Sequence, residues 1–562
     1  MGEGKTNYSP PLRRGHQEKR KGGLIVKLSI ASLTDKTGWA QADVRLPNYD
    51  VPAMVQRTKE APVWVHFGAG NILRGFIAAL TQRLLEAGDT DRGIIAVATA
   101  DHNDIIRQIY APYDNLVLNV LLGADESLDC EIIGSIAEAV ALDHSDPSGL
   151  RRLEELFEAP SLQLTSFTIT EKGYALRGGD GALLPLVEED MKNGPGKAAH
   201  VMGVVAGLLY RRYLAGGHPL AVVSMDNCAK NGALLGGNIL EVAKAWQNVG
   251  LVDAGFLAYL TDETKVSFPW TMLDKITPRP AEVVAQRLTE RGIADMMPVF
   301  TSKNTPVAPF VNTERPQYLV IEDKFPAGRP PLEKAGVYLA DQETVNKTER
   351  MKVTTCLNPL HTAMSVYGCL LGYTRISEEM KDQDIVALIK RLGYVEGLPV
   401  VVDPGILSPR AFLDEVIQER FPNPFIPDAP QRIATDTSQK VGVRFGETIK
   451  SYVAEGLALD SLVALPLAIA GWLRYLLAVD DAGQAMPVSP DPLLEELQKK
   501  LNGVVWNDPR SYQGQIREIL NNPVIFRSDL TQLPLADTIE EMFVELLAGP
   551  GAVRSTLQKY LS

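Results

Sequence analysis

The stretch Val345–Tyr373 (VNKTERMKVTTCLNPLHTAMSVYGCLLGY) places an amine, an amide and an imidazole within ten residues: Lys352, Asn358 and His361. An amine can take up or give a proton, an amide can donate to an oxygen without changing its own charge, and an imidazole can do either. Proton transfer at a polarised oxygen is the chemistry such a set could serve. Ordinary roles compete with it. Asn358-Pro359 also reads as a helix N-cap followed by proline at the first helical position, and His361 as a satisfied first-turn histidine. His361 is the only one of seven histidines beyond residue 218, so a multi-histidine metal centre in the C-terminal half is excluded. No ligand-spaced motif points to a carboxylate-rich metal site either.

A second candidate lies far upstream. Val63–Phe67 is a short apolar run, Gly68-Ala69-Gly70 a glycine turn, and Ile72, Phe76, Ile77, Leu80, Leu84 and Leu85 recur at helical spacing. Such a turn lets backbone approach a pyrophosphate, with the helix N-terminus behind it. Asn71 and Arg74 follow directly and join the candidate cofactor set. The third glycine of the usual fingerprint is missing; Leu73 holds its place. A second apolar run, Gly93–Ala98, ends in VATADHND. Asp101 there is a candidate for the ribose hydroxyls, which would favour NAD over NADP. Capping the helix that follows is the alternative.

These residues need elements to hold them. Strand–helix–strand alternation continues through Leu116–Leu122, Glu131–Ile136, Ser148–Phe157, Gln163–Thr170, Lys197–Leu214 and Leu220–Ser224, and predicts an α/β doubly wound, Rossmann-like sheet. Polar motifs end several apolar runs: Thr168–Tyr174 (TITEKGY), Ser224–Gly232 (SMDNCAKNG) and Phe268–Pro278 (FPWTMLDKITP). The last two also suit ordinary turns. After about residue 345 the period is helical. We therefore expect a polar, basic arm over 1–22, a dinucleotide-binding domain over 23–335 and a mainly α-helical domain over 336–562, with the change inside FPAGRPPLEKAG.

With 562 residues the chain is too long for one core. Its 45% hydrophobic and 22% charged residues describe a globular protein. A net charge of -13 argues against nucleic-acid binding but leaves room for a locally basic pocket. Four scattered cysteines without a CxxC pair suggest reduced thiols and a cytoplasmic setting. Ser461–Val479 is the most membrane-like run, but it contains Pro466 and Arg474 and reads as a buried helix. Partners are thus expected to be small molecules, with the chain a monomer or small homo-oligomer.

From about Pro47 to Asp491 the sequence resembles the polyol-specific long-chain dehydrogenases, the mannitol dehydrogenase family. The resemblance is carried by HFGAGNILRGF, TITEKGY, SMDNCAKNG, FPWTMLDKITP, ERPQYLVIEDKFPAGRP, ERMK…LN…H and NPFIPDAPQRIATDTSQK. It implies an NAD(H)-dependent oxidoreductase with Lys352 as general acid/base. It further implies Asn227 and Asn358 as the amides holding the reacting oxygen, and His361 orienting substrate. Arg432 and Lys440, eight apart, match basic substrate contacts. Glu349 matches a carboxylate linked to proton movement, and Asp274 an aspartate beside the cofactor. The family pattern has four residues between lysine and asparagine; here there are five, VTTCL. An extra residue in a helix rotates what precedes it by roughly 100°. A break before Asn358 or a π-bulge would absorb it. Arg432 and Lys440 favour a keto sugar acid and its alcohol, of fructuronate/mannonate type, as substrate pair. A polyol–ketose pair of the mannitol 2-dehydrogenase type is the alternative. A catalytically silent NAD(H)-binding regulator is disfavoured by the intact set of four.

Overall fold

The computed structural model describes residues 25–99, 104–143 and 146–562. The expected arm over 1–22 and Asp101 lie outside the described residues.

Six parallel strands form the central sheet: β1 (Trp64–Phe67), β2 (Ile94–Ala98), β3 (Ile136–Ala141), β4 (Leu164–Phe167), β5 (Leu220–Ser224) and β6 (Val266–Ser267). They lie side by side as β3-β2-β1-β4-β5-β6. Every residue of β1, β2, β4 and β5 is buried. That is the mark of a parallel sheet covered by helices on both faces. Order and direction are those of the Rossmann fold, as expected. The sequence order reverses between β1 and β4, the place where open α/β sheets bind ligands beyond the strands' carboxyl ends.

The expected strand Leu116–Leu122 does not join this sheet, and the expected Glu131–Ile136 runs across two strands, its Ile136 opening β3 and its start closing a strand that lies elsewhere. Val117–Leu122 and Leu128–Ile133 pair antiparallel with each other. They build a separate four-stranded sheet with Val44–Arg45 and Phe310–Glu314. The reason is local: only Gly123–Ser127 separates them, far too little chain for a parallel crossover. A third sheet combines β7 (Thr271–Asp274), antiparallel to β8 (Tyr318–Glu322), with Tyr338–Ala340 parallel to β8.

Among the described residues, every named element beyond Ala340 is helical. At the centre lies a wholly buried helix, Ala464–Tyr475, within the run that looked membrane-like. Its Arg474 is tolerated because the guanidinium donates to the carbonyls of Leu546, Val479 and Asp480. No helix among the described residues is long and apolar enough to cross a membrane. Two helices carry the chemistry-bearing stretch, α1 (Gln342–Met351) and α2 (Asn358–Leu370). Asp341 caps α1 by accepting from the Thr344 N–H at 2.7 Å.

Candidate active site

Lys352–Cys356 forms a π-helical turn between α1 and α2. The Leu357 N–H donates to the Lys352 carbonyl at 3.1 Å, a bond five residues back rather than four. Leu357 then breaks the helix at φ -130°, ψ -63°, and Pro359 opens α2. The extra residue is thus taken up by a π turn and a break together. No side-chain bond caps α2, so the capping role open to Asn358 is not used.

This geometry turns Lys352 inward. Only 3% exposed, it donates to Asn227 Oδ1 at 2.9 Å and to the Leu273 carbonyl at 3.1 Å. Asp274 Oδ1 lies 3.5 Å away. Asn227, Lys352, Asn358, His361, Asp274 and Arg432 all line one cavity of about 260 Å³. Asn227 and Asp274 come from the sheet-containing half, the other four from the helical half. The cavity therefore lies between the two halves of the chain.

The strand-end motifs are tied to one another in the order that aims Asn227. The Asp226 carboxylate accepts from the N–H groups of Ile169 at 2.8 Å and Thr170 at 3.2 Å, and from the Tyr174 hydroxyl at 2.7 Å. Thr170 sits at φ +63°, a left-handed conformation held by this grip. Asn231 in turn accepts from the Thr271 N–H and donates to the Asp226 carbonyl. TITEKGY, SMDNCAKNG and FPWTMLDKITP are one network, and Asn227 is its exposed tip.

Electrostatics set the cavity's character. Burial resists ionisation of Asp274, but the Arg420 and Lys352 charges outweigh it and hold the carboxyl below its usual range. His361 is pushed down to about 3, by burial first and then by the cations Arg444, Arg432, Arg420 and Lys440. Its ring packs on Phe421 at 5.1 Å, and its Nε2 is buried without a hydrogen-bond partner, 3.7 Å from Asp428 Oδ2. Burial raises Glu349 above the usual carboxylate range, against the pull of Lys352 and Lys230.

Not every expected residue faces this cavity. Arg432 reaches its rim, 63% exposed, and is paired with Asp428. Lys440 turns instead to the carbonyls of Ile433 and Thr435. Arg74 is wholly buried, donating to the Ala308 carbonyl at 2.7 Å and lying over the Tyr110 ring. Tyr110 in turn donates to the Ala69 carbonyl, so Arg74 supports the glycine turn from beneath. Asn71 donates to the Pro278 carbonyl at 3.5 Å. Asp104 accepts from the Ser302 N–H at 2.6 Å.

The glycine turn fits a dinucleotide. Gly68 has φ +114°, and a Cβ there would stand 2.2 Å from the Thr168 carbonyl oxygen, so only glycine lets β1 end this close to β4. A Cβ on Gly70 would meet nothing within 4 Å. The protein does not need that glycine for its own packing, and the open space above it suits a close-approaching pyrophosphate.

Two residues of the site were missed in the sequence. Arg420, 4% exposed, lines the cavity, and Glu314, 1% exposed, grips it through two bonds of 2.9 Å. A signal existed. Leu413, Val416, Ile417, Arg420 and Phe421 share one helical face, and all five are buried. A lone arginine on an apolar face demands a buried partner.

Comparison with known proteins agrees with this geometry. Residues 63–334 match the mannitol dehydrogenase Rossmann domain and residues 344–547 the mannitol dehydrogenase C-terminal domain. The chain is 49% identical to D-mannonate oxidoreductase of Thermotoga maritima, over 95% of this chain and 99% of that protein. It is 31% identical to D-mannonate oxidoreductase of Escherichia coli, over 83% and 89% respectively. The solved ternary complex of Pseudomonas fluorescens mannitol 2-dehydrogenase with NAD and D-mannitol superposes with a TM-score of 0.66 at 26% identity, covering 95% of this chain and 99% of that one. A Rossmann sheet, a helical second half and a lysine–asparagine site between them, matched by both family domains, place the chain in the mannitol dehydrogenase family of oxidoreductases.

Proposed function

We propose that this chain is an NAD(H)-dependent D-mannonate oxidoreductase, interconverting fructuronate and mannonate. The observation that carries the reading is the Lys352 Nζ–Asn227 Oδ1 bond of 2.9 Å, made across the two halves in a cavity whose walls also hold Lys275, Arg420 and Arg432. NAD(H), when bound at the turn of Gly68, Gly70 and Asn71, would accept or supply the hydride. The chain's own residues handle the oxygen and its proton. Because Lys352 occupies Asn227 Oδ1, the amide NH₂ of Asn227 is left to donate to a substrate oxygen. Asn358, on the wall of the same cavity, supplies a second donor to that oxygen. Two neutral donors stabilise a developing alkoxide without themselves titrating. Lys352 then takes the proton in alcohol oxidation and returns it in ketone reduction. Glu349, three residues before it and half-buried, passes the proton onward to solvent. His361, neutral at physiological pH, orients substrate as a hydrogen-bonding group rather than a charge.

The substrate acid follows from the cations. Arg420, Arg432, Lys440 and Arg444 all bear on His361, and an anionic sugar is attracted where a neutral polyol is not. The names of the two D-mannonate oxidoreductases support the same class. The four unpaired thiols, Cys130, Cys228, Cys356 and Cys369, support a reducing, cytoplasmic setting. Steady-state NADH oxidation with fructuronate and fructose tests the assignment. Fructuronate is expected to be reduced with the higher kcat/KM, since its carboxylate is attracted by the cations around His361 where the neutral ketose is not. Equal turnover of the two would instead favour a polyol–ketose enzyme.

A further inference from the structure

Four buried side chains form a row of alternating charge at the base of the cavity. Lys352 lies 3.5 Å from Asp274 Oδ1, and Arg420 Nη2 lies 2.8 Å from Asp274 Oδ2. Glu314 holds Arg420 Nε and Nη2 at 2.9 Å each. All four side chains are 7% exposed or less, so water and salt screen their interactions little. The row also crosses the molecule, since Lys352 and Arg420 belong to the helical half and Asp274 and Glu314 to the sheet-containing half.

Resting on the reading of Lys352 as proton carrier, we propose that Arg420, gripped by Glu314, is a positioning residue that shares the charge of Asp274 and thereby sets the charge state of Lys352. Each Asp274 oxygen serves one cation. Without Arg420, Asp274 loses the cation nearest it, bears more strongly on Lys352 and favours the ammonium form. Without the Glu314 charge, Asp274 alone faces both Arg420 and Lys352, and the row favours the neutral amine. The two losses act in opposite directions, whereas two losses of mere scaffolding would act alike. The other ionisable groups facing Lys352 are Glu349 on α1, His361 on α2, and Asp428 with Arg432 at the rim, while Lys275, beside Asp274, also feels the charges of Glu314 and Arg420. Following the labelling midpoint of Lys275 in the same experiment as that of Lys352 separates the two responses.

The test uses the full chain and the variants Arg420→Gln, Arg420→Lys and Glu314→Gln. Competitive acetylation of Lys352 by acetic anhydride, followed by peptide mass spectrometry, gives the pH midpoint at which the amine becomes reactive, independently of turnover. The midpoint is expected to rise by about one pH unit in Arg420→Gln and to fall by a similar amount in Glu314→Gln. Arg420→Lys, which keeps the charge, is expected to lie close to the parent. The acid limb of log kcat/KM for mannonate oxidation should move with the labelling midpoint. Unmoved midpoints, or shifts of the same sign, overturn the inference. If Arg420→Gln does not fold, an unmoved midpoint in Glu314→Gln is sufficient to overturn it. Labelling midpoints that shift while the kinetic limb stays in place leave the charge coupling standing and reject Lys352 as proton carrier.

Discussion

Replacement of Lys352 by alanine removes the Nζ that reaches Asn227, the Leu273 carbonyl and Asp274 together. Two consequences separate in magnitude. For folding, the Leu273 carbonyl loses a donor and Asp274 loses one of two cations but keeps Arg420 at 2.8 Å. The cost is about 1–3 kcal/mol, tolerable for a chain with several large cores. For catalysis, loss of a positioned proton carrier costs about 10²- to 10⁴-fold, or about 2.7–5.4 kcal/mol of barrier. NADH affinity should be nearly unchanged, because the Gly68–Gly70 turn is not part of the cavity Lys352 lines. The assay is NADH oxidation with fructuronate under saturating cofactor, with circular dichroism to confirm folding and fluorescence titration for NADH. Small primary amines should restore part of kcat by entering the vacated space. A folded Lys352→Ala variant with near-parental kcat refutes the reasoning. Lys347, the nearest lysine upstream, offers no substitute, being paired with Glu343 at 2.8 Å and 41% exposed.

Gly70→Ala should fold as the parent does, since its Cβ meets nothing, yet bind NADH at least about tenfold more weakly, which is about 1.4 kcal/mol; unchanged NADH affinity would show that the turn does not hold the cofactor. Gly68→Ala should lose stability as well, visible as a lower urea midpoint, because its Cβ collides with Thr168. Buried His66, held between Ser166 and Thr168, is pushed down to about 3 by burial. Its depressed folded value means that its stability contribution is complete above about pH 6.5 and is lost as pH falls from there toward 3. Between pH 7 and 5 this amounts to about 2 kcal/mol, and His66→Gln should flatten that part of the urea-unfolding profile; parallel profiles would contradict a neutral buried His66.

The fold was legible where one rule governed a whole segment. Continuous apolar runs such as Leu220–Ser224 read as buried parallel strands because both their faces are covered. The hairpin of Val117–Leu122 and Leu128–Ile133 was misplaced because apolar pattern alone does not say which sheet a strand joins, and because the second strand begins three residues earlier than Glu131, which leaves a five-residue connection too short for a crossover. Lys352, Asn227, Asn358 and His361 were legible because each stands in a distinctive local motif. Whether they meet was not, since that depended on a helix rotation which only the Leu357–Lys352 bond resolves. Glu314 and Arg420 lie 106 residues apart and are joined by nothing in the sequence pattern except that each places a charge where an apolar residue belongs. Lys440 matched by spacing, yet spacing fixes only the Cα, and its amine turned to nearby carbonyls.

The division of the cavity between two halves bears on how such a protein can change. The glycine turn and Asn227 are fixed by one half, while His361, Phe421 and Arg432 line the cavity from the other. A new sugar specificity can therefore arise by altering helices without disturbing the dinucleotide turn. One joint restricts this freedom. Asp274 and Glu314 on one side and Arg420 on the other must be exchanged together, because any helical half lacking the arginine would strip the buried Glu314 carboxylate of the guanidinium that it grips through two bonds. Chimaeras that graft a relative's helical half onto this sheet should be folded and active when that joint is kept, and fail when it is not, whatever the similarity elsewhere.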